Sequence, residues 1–131
     1  MNDEVPLQPV PARPVLTPEG LALLTDDVGR ESARDFLNSY LRLLPSRTDD
    51  IVEKLAGGDV KGARKAVSSL YVTSSMAGAL QLEDYCQHLQ QQLSLGRIPI
   101  AEAVKAELSG NVSQLSPAIR LLLDEQTAGS E

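Results

Sequence analysis

Ser68 stands on a run of helical pattern with Lys65, Arg64 and Lys61 three, four and seven residues before it, so one hydroxyl shares a face with three cations. A serine hydroxyl is a weak nucleophile without an adjacent base, so the cluster suits recognition better than catalysis: a positive patch steers an acidic partner. Its plain reading is three solvated charges around an exposed serine, and a serine kinase target is the other use of that hydroxyl. Tyr71, Val72 and Ser75 share the sector, and an aromatic and aliphatic pair beside basic residues resembles a small interface core. His88, the single histidine, flanks an apolar stripe and reads as a structural or exposed side chain. Cys86, the single cysteine, falls inside that stripe and reads as a small core residue. One His and one Cys on adjacent turns would need outside ligands to hold a transition metal, so no metal or other cofactor is expected. Gly57-Gly58 lacks the strand and the Lys-Ser/Thr of a phosphate loop, and Asp26-Asp27 and Asp49-Asp50 fall at a helix start and on a solvated face.

The helix that carries Ser68 is defined by Val60, Ala63, Val67, Leu70, Ser74 and Ala77, spaced alternately by three and four residues as an inward stripe requires. Before it, Thr17-Pro18 offers a cap and a first-turn proline, opening a short helix to about Asp26 that docks Leu21 and Leu24. Asp26 or Asp27 should cap a long second helix, through Phe36, Tyr40, Leu44, Ile51 and Leu55, with Glu31 in its first turn and a kink at Pro45. Gly57-Gly58 ends that helix and Asp59 caps the third, which stops at Gly78. A fourth runs from about Leu80 to Leu95 on Leu82, Cys86, Leu89 and Leu93, and Gly96 closes it. Pro99 should open a fifth on Ile100, Val104, Leu108, Val112, Leu115, Ile119 and Leu122, which Ser116-Pro117 must bend or divide. Residues 1–16, with Pro6, Pro9, Pro11 and Pro14, read as an extended disordered arm, and residues 126–131 as a flexible tail.

No period-2 pattern appears, so the expected class is all-α: an up-down-up-down antiparallel four-helix bundle with a short additional N-terminal helix, spanning residues 17–125. At 131 residues the chain is one domain that needs no disulfide to build its core. A net charge of −6 disfavours nonspecific nucleic-acid binding, which needs a dominant basic surface, and three Tyr, one Phe and no Trp leave no stacking platform. No apolar run approaches a membrane span and no signal segment leads the chain, so the expectation is a cytoplasmic protein with neither nucleic-acid nor membrane partners.

The stretch from Ser68 to Ala79 resembles the signature of histidine-containing phosphotransfer (HPt) domains, roughly His-x-Leu-Lys-Gly-Ser-Ser-x-x-x-Gly-Ala. Leu70, Thr73, Ser74, Gly78 and Ala79 match it, while Ser68, Tyr71 and Val72 stand where the family has His, Lys and Gly. Leu44-Pro45, Gly58-Asp59 and the Leu82, Cys86, Leu89 helix resemble the family's layout too, so the likeness covers about Thr17 to Glu125. The resemblance implies a phosphorelay protein of two-component signalling whose partners are a response-regulator receiver domain or a sensor histidine kinase. It also implies that the phosphoacceptor is missing. A phosphoserine ester is too stable to pass its phosphoryl group on, whereas a phosphoramidate is labile. Tyr71 and Val72 remove the charge and fill the space that the family keeps beside the acceptor. The expectation is a non-enzymatic, degenerate member that binds a partner through Lys61, Arg64, Lys65, Ser68, Tyr71, Val72 and Ser75. The competing readings are an active phosphocarrier using another residue such as His88, and a helical scaffold or oligomerisation module.

Overall fold

The computed structural model describes residues 13–128 and, among them, five helices and no strand. They are α1 (Pro18–Val28), α2 (Arg30–Ala56), α3 (Val60–Ala77), α4 (Leu80–Ser94) and α5 (Ala101–Ala128). The last four form an antiparallel up-down-up-down bundle: α3 packs against α2 and α4, α2 also against α5, and α1 covers α2 and α3 at one end. None of these helices is long and apolar enough to cross a membrane.

The core is aliphatic and follows the stripes. Leu37, Tyr40, Leu44 and Ile51 of α2 meet Ala63, Val67, Leu70 and Ala77 of α3, Leu82, Cys86, Leu89 and Leu93 of α4, and Val104, Leu108, Leu115 and Ile119 of α5, all buried. Removing one such leucine side chain costs about 2 to 5 kcal/mol, because the neighbours only partly collapse into the hole. One polar pair crosses this core, Tyr40 of α2 and Ser74 of α3, with hydroxyl oxygens 2.7 Å apart.

The ends of α3 are fixed by local chemistry. Asp59 accepts a hydrogen bond from the Gly62 amide at 2.9 Å, satisfying one of the donors that a helix start leaves bare. At the other end Gly78 adopts φ 78°, and its amide turns back to the Ser75 carbonyl at 3.2 Å. This glycine is required twice over, since a Cβ there would stand 2.6 Å from the Thr17 carbonyl oxygen. Gly20 of α1 lies equally close on the same turn, where a Cβ would meet the Gly78 Cα at 2.7 Å. Small residues thus let α1 press directly onto the α3–α4 junction.

Several boundaries differ from the sequence expectation. Asp26 and Asp27 lie inside α1, and Gly29 at φ 93° takes the N-cap position of α2 with no side-chain cap, while Glu31 does occupy the first turn. Helix α2 runs through Pro45 to Ala56, as its expected span required, whereas α5 runs undivided through Pro117, where the sequence allowed a bend or a division. Both prolines are exposed, so the carbonyls they leave unpaired one turn earlier can face water. Pro99 precedes α5 by two residues and Ile100 is 74% exposed, outside the core stripe to which its spacing assigned it. Residues 13–16 lie against the bundle, with Val15 and Leu16 half-buried on the core, and α5 continues three residues beyond Glu125 to Ala128. The rest of the arm, residues 1–12, and the tail residues 129–131 lie outside the described residues.

Candidate functional site

Helix α3 carries Lys61, Arg64 and Lys65 and no acidic residue between Val60 and Ala77, in a chain whose net charge is −6. Three cations in the first two turns oppose the helix macrodipole, whose positive end lies there, so local propensity does not explain them. Within the described residues none of the three has a carboxylate partner, whereas Lys54 nearby is paired with Asp50 at 3.2 Å. The N-terminal half of α3 is therefore a concentrated positive surface on an acidic protein.

Lys61, Arg64, Lys65 and Ser68 line an open groove of about 330 Å³, closed on its other side by Gln90 of α4. Helical spacing accounts for the first four, since positions three, four and seven apart lie one above the other. Gln90 joins them through tertiary packing: its Nε2 donates to the Arg64 carbonyl at 3.2 Å, one turn before Ser68. The Gln90 Oε1 is buried and has no hydrogen-bond partner among the described residues. Together the groove offers cationic donors, a free hydroxyl and an amide, a set suited to an anionic group on a partner. No nucleophile with an activating base is among these side chains.

The remaining residues of the expected face separate. Val72 is 52% exposed and Ser75 is exposed, but neither lines the groove. Tyr71, expected as an exposed aromatic, is half-buried and packs against the core, because its position sits on the shoulder of the Val67–Leu70–Ser74 stripe. Met76, unremarked in the sequence pattern, is 43% exposed on the same helix. Gln90 also escaped sequence reasoning, although its place next to Leu89 on the edge of the α4 stripe put it in reach of a neighbouring helix. Behind the face, Arg47 of α2 donates to the Ser69 hydroxyl at 3.3 Å.

His88 is exposed and lines a different groove, between α4 and α5, beside Tyr85 and Glu107. The Tyr85 hydroxyl donates to Glu107 Oε1 at 2.6 Å, and burial, followed by that carboxylate, raises the phenol's pKa above its ordinary value. Cys86 is fully buried and unpaired, its thiol pushed up to about 12 first by burial and then by the Glu83 charge, which makes it a poor nucleophile at neutral pH. No cluster of His, Cys, Asp or Glu among the described residues could hold a metal ion.

No family model matches this chain, and no curated protein matches it. Among solved structures, the crystal structure of histidine-containing phosphotransfer protein B (HptB) from Pseudomonas aeruginosa PAO1 is similar, with a TM-score of 0.75 over 86% of this chain and 96% of that one. The two sequences are 20% identical over that match, so the likeness is one of fold.

Proposed function

We propose that this chain is a phosphorelay signalling protein that works by binding, presenting the basic groove of α3 to a receiver domain or sensor kinase without accepting a phosphoryl group. The observation that carries the reading is the groove itself: Ser68, exposed, lies among Lys61, Arg64 and Lys65 in a bundle whose fold is that of a histidine phosphotransfer protein. The likeness of Ser68–Ala79 to that family's signature, which has a histidine in the position of Ser68, supports this reading. A hydroxyl there neither attacks an acyl phosphate readily nor yields a labile adduct, while the cations remain able to hold an acidic surface. The cations are retained against the helix dipole, as expected where local rules yield to a binding task.

The test mixes the purified chain with a two-component receiver domain, unphosphorylated and carrying labelled phosphate. Binding that falls at least tenfold in Arg64→Glu and weakens with added salt, with no label on the chain, supports the proposal. Alkali-stable, acid-labile label that appears on the chain and is lost in His88→Ala replaces it with an active carrier. Equal binding by the parent chain and Arg64→Glu assigns the bundle to scaffolding.

A further inference from the structure

The segment just before α1 runs antiparallel to α4, so that tracing it back from Thr17 to Arg13 leads along α4 from its N-terminus. The Thr17 amide donates to the Gly78 carbonyl at 2.8 Å. Four residues earlier, the Arg13 carbonyl accepts from Gln81 Nε2 at 2.8 Å, while its guanidinium holds Asp84, with Nε to Oδ2 at 3.0 Å. Between these anchors Val15 and Leu16 line a hollow with Ala118, Leu121 and Leu122 of α5. Residues 13–17 thus lie along one end of the seam between α4 and α5.

The remainder of that seam is open. A groove of about 530 Å³ begins at Gln81 and is lined by Tyr85, His88, Glu107, Asn111 and Gln114. It continues past Tyr85 and His88 into a second hollow of about 230 Å³ bounded by Leu89, Gln92, Pro99 and Val104. Gly110, in the wall of the first, has no atom within 4 Å of where a Cβ would stand. Gln81, Tyr85, His88 and Gln92 recur at helical spacing along the groove, and the amides continue the chemistry by which Gln81 already holds a main-chain carbonyl.

We propose that the α4/α5 groove is a seat for an extended, proline-containing peptide, and that its occupant is this chain's own residues 1–12, running from Arg13 toward the α4–α5 loop. The covalent connection delivers the segment to the mouth of the groove already pointing along it. Extended proline-rich chain lacks internal hydrogen bonds, so its carbonyls are available to side-chain amides, and at ~3.1 Å per residue twelve residues reach roughly 37 Å. Helix α4, with 15 residues, is about 22 Å long. On that scale Val10 and Leu7 come level with the groove, whose far hollow offers Leu89 and Val104. Asp3 and Glu4 arrive beyond the end of α4, where Arg97 is exposed and has no carboxylate partner among the described residues.

The test uses the full chain with a nitroxide on Leu7→Cys; Cys86 is buried and does not compete for the label. The proposal expects the amide NMR signals of Tyr85, His88, Gln92 and Asn111 to lose intensity several-fold while those of Ser46 and Lys61 keep theirs. Filling the groove with Gly110→Trp should abolish the selective loss. In unlabelled full chain, Leu7→Asp with Val10→Asp should raise His88 modification by diethyl pyrocarbonate several-fold. Uniform signal loss, persistence of the selective loss in Gly110→Trp, or an unchanged modification rate overturns the proposal. It is equally overturned if the loss appears on an isotope-labelled chain mixed with a spin-labelled copy, for the occupant is then a second molecule.

Discussion

The Tyr40 hydroxyl of α2 lies 2.7 Å from the Ser74 hydroxyl of α3, with both side chains at 4% exposure or less inside an otherwise aliphatic core. The bond fixes the register of the helix that carries the basic groove against its longest packing partner. A slip of either helix would leave two hydroxyls buried without partners, at a cost of about 1 to 3 kcal/mol each, so the pair acts on specificity as much as on stability.

Ser74→Ala is therefore expected to destabilise the protein by about 1 to 3 kcal/mol, since the Tyr40 hydroxyl is stranded in the core. Tyr40→Phe should cost less, because a helical serine can turn its hydroxyl to the carbonyl four residues earlier. The double variant should cost less than the sum of the two. Urea midpoints for all four proteins measure the coupling, and strict additivity would show that the bond is not formed.

Gly78→Ala is expected to be worse than an ordinary helix-end substitution. It combines a left-handed φ of 78° with a Cβ 2.6 Å from the Thr17 carbonyl, so α1 must lift from the α3–α4 junction. A loss of roughly 2 to 4 kcal/mol follows from strain plus lost packing. Hydrogen exchange should show the loss of protection concentrated in α1; protection lost equally in all helices would refute this account.

Stability should fall as the solution is made alkaline. Burial raises the Cys86 thiol to about 12 from 9.0, and raises the Tyr40 phenol as well, although its bond to Ser74 opposes that rise. The unfolded chain therefore loses these protons first, and each group's contribution is complete below the unfolded value and lost as pH climbs from about 9 toward 12. Urea midpoints between pH 8 and 10.5 should decline, and Cys86→Ala should decline less steeply. An identical slope in the two proteins would remove the thiol as a cause.

Lys61→Glu separates folding from binding. Near the start of α3 a carboxylate interacts favourably with the helix dipole, so the variant should gain about 0.3 to 1 kcal/mol of stability. The same change reverses the charge at one end of the groove and should weaken the proposed receiver-domain binding, most strongly at low salt. Thermal denaturation and binding titration on one preparation show whether the two properties move in opposite directions.

The sequence carried most of the fold. The 3-and-4 spacing of Val60 through Ala77 put α3 in place and turned Ser68 outward, and Asp59 and Gly78 marked its ends, because caps and periodicity act over a few residues. The same local signals misread Asp26 and Asp27, whose capping ability was not used, and allowed a division at Pro117, where α5 instead runs on undivided. Tyr71 was misplaced because a residue on the shoulder of a stripe is buried or exposed according to how closely the next helix approaches.

By itself, then, the amino-acid pattern determined an all-helical bundle, the outward position of Ser68, Lys61, Arg64 and Lys65, and the aliphatic core, since each follows from spacing along a single helix. Only tertiary packing brought Gln90 to the Arg64 carbonyl, joined Tyr40 to Ser74, laid Arg13 on Gln81 and Asp84, and left α4 and α5 apart around His88. Those pairs lie 26 to 71 residues apart in sequence, and at that separation no local periodicity can choose which side chains meet. The choice is made when whole helix faces compete for burial.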